Sequence, residues 1–183
     1  MSLRKTAWIG TGALLLTGFL GVSTAVKAAD VPDSEQVTKL LVETKAMAFQ
    51  LSEDAAYMEA FTRVNVSTEA HALAINQIKD HVNALGRQAA KLQNAKSGAA
   101  PWQKIAIDRI TPFLDELTGY TYAVIEHINA KPTFLTTAEY NDFLEANADY
   151  SSDLAAMIAD FVKFGRTKER MERLTKKLEV PVG

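Results

Sequence analysis

The chain has 183 residues, with 22 acidic and 20 basic side chains, a formal charge of −2 and no cysteine. The missing thiol excludes disulfides, a cysteine nucleophile, thiolate metal sites, iron–sulfur clusters, haem attached through C-x-x-C-H and an anchor built on a lipidated cysteine. With 48% apolar and 23% charged residues the composition is globular, and the length suits one domain.

Residues 1–28 read as an export signal. Arg4 and Lys5 precede an apolar run from Ala7 to Val22, and Val26-Lys27-Ala28 places small residues where a signal peptidase reads, so cleavage is expected after Ala28. The run holds four glycines and is shorter than the roughly 20 apolar residues of a membrane-spanning helix, which makes a retained anchor the weaker alternative. The expected location is the periplasm or the cell exterior. Residues 29–165 then carry 11 basic and 19 acidic residues, a charge of −8. That balance argues against a nucleic-acid binder, which needs a concentrated basic surface.

The rest of the chain repeats its apolar positions with helical spacing. Helix one is expected from Asp33 to about Arg63, with Asp33 and Gln36 as a capping box and a seam of Val37, Leu41, Thr44, Ala48, Leu51, Ala55 and Met58. Ser67 caps helix two, whose seam is His71, Ile75, Ile78, Val82, Leu85, Ala89 and Leu92, with Ser97-Gly98 as its stop. Helix three starts at Pro101 and draws on Ile105, Ile110, Phe113, Leu117, Thr121, Val124 and Ile128; Pro112 predicts a kink or break near Thr111. Helix four opens on Thr136 and Glu139, with a seam of Tyr140, Phe143, Asn147, Tyr150, Leu154, Met157, Phe161 and Phe164, and Gly165 as a candidate end. A short amphipathic helix is expected from Thr167 to Leu178. Short connections make the expected fold all-α, an up-down-up-down four-helix bundle over 29–165 followed by a basic amphipathic segment over 166–183.

Chemistry is sparse. Glu69-Ala70-His71 and Glu126-His127 lack the three-residue offset that a di-iron bundle site needs, and no H-E-x-x-H, P-loop or nucleophile-elbow motif occurs. No metal site is assigned. In an up-down bundle, Met58, His71, His127 and the Tyr140–Asn147 turn fall near one end, where a His/Met or His/His pair could hold a noncovalent haem, metal ion or small ligand. The competing reading is structural: His71 bonds to Asn147 or Tyr140 and fixes helix register. A ligand pocket between helices three and four, near Pro112 and Gly119, is a further candidate, and Trp102 is expected to plug the end of helix three.

The C-terminal segment is the distinct charge feature. Six basic and three acidic residues between Arg166 and Glu179 give +3. Either the segment folds back on the bundle, or Arg170, Met171, Leu174 and Leu178 meet a partner: another protein, a second copy, or an anionic membrane surface.

Pro101-Trp102-Gln103, Ala106-Ile107-Asp108-Arg109-Ile110, Ile125-Glu126-His127 and Lys177-Leu178-Glu179-Val180-Pro181 are similar to segments of uncharacterised secreted helical proteins of bacteria. The resemblance implies a bacterial exported chain and carries no activity and no cofactor. The expected function is therefore a non-enzymatic structural, adaptor or sensing module.

Overall fold

A computed structural model describes residues 31–64 and 66–179. The expected signal segment and its cleavage site lie outside the described residues. Four helices form an all-α bundle: α1 (Glu35–Glu59), α2 (Thr68–Ala95), α3 (Pro101–Ala130) and α4 (Ala138–Leu178). Each packs on two others, α1 and α3 both lying against α2 and α4.

Local chemistry sets the helix starts. The hydroxyls of Ser34, Ser67 and Thr137 each accept the backbone N–H three residues on, at 3.3 Å. This satisfies one of the donors that a helix start leaves unpaired. α1 is thus capped by Ser34 and not Asp33, whose carboxylate is engaged elsewhere. α4 is capped by Thr137, one residue past the expected Thr136.

The expected seams of α1 and α2 are buried residue for residue. Leu41, Leu51 and Met58 are at most 1% exposed, each contributing about 1.5–3 kcal/mol through burial. On α3, Ile105 is exposed and Phe113 half-buried, while Ala106, Ile107 and Leu114 face the core. α4 departs further: its buried row is Tyr140, Leu144, Asn147, Ser151, Leu154, Ile158 and Val162. Phe143, Tyr150, Met157 and Phe161 sit half-buried beside it, and Phe164 is exposed. Side chains as large as Phe143 and Tyr150 cover the α3–α4 seam from the flank: Tyr150 lies 5.2 Å from Tyr120 and 6.2 Å from Phe113, ring centre to ring centre. The narrow interior position goes to Ser151.

Two expected helix ends are absent. α3 continues through Pro112, which is solvent-exposed on the helix surface. α4 continues through Gly165 for 41 residues, about 60 Å at 1.5 Å per residue. Its C-terminal part is thus an extension of the bundle helix, and the short separate helix expected from Thr167 does not exist as its own element. The glycine serves clearance, since a Cβ there would lie 2.8 Å from the Trp102 ring.

Candidate functional site

Two polar clusters link helices of the bundle. In the first, the Tyr140 hydroxyl, on the opening turn of α4, is hydrogen-bonded to His71 Nδ1 at 2.8 Å. The His127 ring lies 4.9 Å from that of Tyr140, and its Nε2 donates to the Phe134 carbonyl at 3.1 Å. Phe61 closes the far side of His71, edge-on at 5.0 Å. Loss of water pushes the His71 imidazole below its usual pKa and the Tyr140 phenol well above its own. Both are therefore neutral near pH 7, and their hydrogen bond joins α2 to α4 without burying a charge on either group.

Of the expected ligand set, this cluster holds His71 and His127. Met58 is fully buried in the apolar core, one turn before Phe61. Asn147 stands apart: its Oδ1 accepts from the Thr121 hydroxyl at 2.9 Å and its Nδ2 donates to the Phe143 carbonyl at 3.0 Å. His71 therefore bonds Tyr140 rather than Asn147. Among the described residues, no group of three or more His, Asp or Glu converges as a metal-ligand set.

In the second cluster, Gln103 in the first turn of α3 is fully buried and ties α3 to α1. Its Oε1 accepts from Ala100 N at 2.9 Å and Ser34 N at 3.0 Å. Its Nε2 donates to Ser34 O and Thr38 Oγ1, both at 3.0 Å. Beside it, Asp33 Oδ1 accepts from Trp102 Nε1 at 2.8 Å and from Lys168 Nζ at 2.9 Å. Hydrogen bonds from Lys168 to Asp33 and Glu172 hold its ammonium above the usual pKa. Trp102 packs edge-on against Phe164 at 5.4 Å, so it does close this end.

Beside this network, α1 and the C-terminal part of α4 border a cleft of about 810 Å³. Leu41, Val42, Trp102 and Val162 make its apolar lining, and Glu35, Glu43, Glu169 and Glu172 give it an acidic rim. It is formed by α1 and α4 with Trp102 of α3, and lies apart from the α3–α4 positions Pro112 and Gly119.

The C-terminal segment continues α4 to Leu178 as an arm. Met171, Leu174 and Leu178 are 59%, 42% and 64% exposed, and Arg170 is exposed with them. The segment touches the bundle through Lys168 and Asp33 and leaves these apolar side chains uncovered.

Gln103, Gln88 and the Asp33–Trp102–Lys168 junction were not visible as a site in sequence. Gln88 reaches from α2 to Glu43 on α1 at 2.9 Å. Gln103 had one legible signal, its place three residues after the position that precedes Pro101, where a Gln side chain reaches back to the helix start. Comparison with known proteins adds no identity: no protein-family model, no characterised protein and no solved structure matches the chain.

Proposed function

We propose that the chain is an exported, non-enzymatic bacterial bundle with up-down-up-down helices, acting through its surface as a structural, adaptor or sensing module. The alternating helix direction is supported by polar pairs that run in opposite order along neighbours. Glu43 with Gln88 and Asp54 with His81 link α1 to α2, and Thr111 with Gln93 and Asp108 with Lys96 link α3 to α2.

One observation carries the functional reading. The buried polar side chains that could do chemistry are bonded to groups that position helices, whereas α4 extends an arm with exposed apolar and basic residues beyond its contacts with Asp33 and Trp102. Such an arm favours contact over catalysis. The test is intact mass and location after expression in a bacterial host. The expected product is an exported chain beginning at Ala29. A cytoplasmic chain retaining Met1 would overturn the export assignment.

A second reading keeps its own observation, the flanking of Tyr140 by His71 and His127. It assigns that end of the bundle to a noncovalent haem, metal or small ligand. A Soret band in the exported protein, lost in His71→Ala, would install this reading in place of the first.

A further inference from the structure

Beyond Val162, α4 contributes no buried side chain, yet the helix continues to Leu178. At about 100° per residue, Phe164, Met171, Leu174 and Leu178 lie about 160–240° round the helix from the core residue Ile158. All four are exposed; Met171, Leu174 and Leu178 form a row turned away from the bundle, and Phe164 opens that row with its ring edge-on to Trp102. Lys163, Arg170 and Lys177 recur at the same seven-residue spacing immediately beside Phe164, Met171 and Leu178. The same outward face carries Asp142, Glu145, Asp149, Asp153 and Asp160 nearer the start of α4, all exposed. One helix face thus changes from acidic to basic and apolar between Asp160 and Lys163.

Charge selects the occupant. A second copy lying antiparallel on the arm would set Lys163, Arg170 and Lys177 against their own equivalents, and a parallel copy would set them against Lys168 and Thr175. A copy shifted onto the acidic stretch would bury aspartates against Leu174 and Leu178. An anionic bilayer meets both rows at once, with the apolar row entering the headgroup–acyl boundary and the basic row meeting lipid phosphates. The acidic stretch would keep the bundle body off the same surface. The Asp33–Lys168 pair also places the start of α1 beside the arm.

We infer that the outward face of α4 from Lys163 to Leu178 docks on an anionic lipid surface. This deepens the surface-acting reading and rests on it, although vesicle binding can be measured wherever the chain is cut. The experiment is vesicle co-sedimentation of the protein recovered after export, on phosphatidylcholine alone and on phosphatidylcholine mixed with phosphatidylglycerol. Binding to the mixed vesicles should exceed binding to the neutral ones and fall steeply as salt shortens the screening length below about 10 Å. The combined change Lys163→Glu, Arg170→Glu and Lys177→Glu should lower anionic-vesicle binding by about 100-fold or more. Leu174→Ser with Leu178→Ser should also weaken it, with helical circular dichroism unchanged in both variants. Equal binding to the two vesicle types, no binding to either, or binding indifferent to these variants would overturn the inference. So would a wild-type dimer that Leu174→Asp dissociates, which would assign the face to a second copy. Failure of export would appear separately, in the N-terminal mass.

Discussion

Replacing Gln103 by Met keeps the side-chain length and removes its polar atoms. Four bonds are lost, but their consequences differ. Thr38 is exposed, so its hydroxyl turns to water, and the Ser34 carbonyl still accepts from Thr38 N at 2.9 Å. The two amides that feed Oε1 are the costly ones. Ala100 is 1% exposed and its N–H has no route to solvent, while half-buried Ser34 is partly rehydrated. At about 1–3 kcal/mol for a buried orphaned donor, the change should destabilise the bundle by about 2–4 kcal/mol. For a chain of this length each kcal/mol moves the melting temperature by about 2–4 °C, so a drop of roughly 5–15 °C is expected. Urea unfolding by circular dichroism should show a lower midpoint with an unchanged slope, and amide exchange at Ser34 and Ala100 should quicken together. A loss below about 0.5 kcal/mol with unchanged exchange would refute the clamp, because it would mean that these donors were never dependent on Gln103.

Acid should test the histidine cluster. The unfolded His71 imidazole titrates near 6.5 and the folded one lower. Between those values the unfolded chain binds more protons, so stability falls as pH drops below 6.5, by at most about 1.4 kcal/mol per pH unit from this group. His71→Gln should lose that part of the slope, and identical wild-type and variant curves in urea titrations at several pH values would contradict the assignment. Gly86→Ala and Gly119→Ala, with nothing within 4 Å of the new Cβ, should each stabilise the bundle by about 0.5–1 kcal/mol in the same assay. Gly165→Ala should gain nothing or lose about 1 kcal/mol, because the Trp102 ring must move. The combined change Met171→Ser, Leu174→Ser and Leu178→Ser should shift the melting temperature by less than about 3 °C, since no core contact is lost; a larger drop would show that the arm packs on the bundle.

The α1 and α2 seams were legible because one row of apolar residues in each helix has no rival. In α4 two adjacent rows keep the 3-4 spacing. The row through Phe143, Tyr150 and Met157 is the more hydrophobic, and the row through Leu144, Ser151 and Ile158 is buried. Hydropathy favours the wrong one because the interior position is narrow and takes a serine, while the aromatics gain area by spreading over α3. Gly165 misled in a related way. A glycine after an apolar run resembles a helix stop, but its missing Cβ accommodates a tryptophan from a residue 63 positions earlier. The histidine–tyrosine contact was foreseen as a pairing of residue types, since a seam histidine needs a partner. The choice of Tyr140 over Asn147 depends on α3, where Thr121 already occupies the asparagine.

The packing of α1 against α4 also sets an order of events. The first helix of the bundle cannot cover one side of its seam until the last has been made. Lys168, which grips Asp33, is 135 positions away along the chain. Contacts this distant in sequence form slowly, because a long loop must close before they are gained. A ribosome-bound or partly threaded chain would therefore hold α1 with its apolar side uncovered and its N-terminal clamp unmade. For a polypeptide that crosses a membrane unfolded, as the export proposal requires, late closure is an advantage. The bundle locks only when its final helix arrives, on whichever side of the membrane that happens.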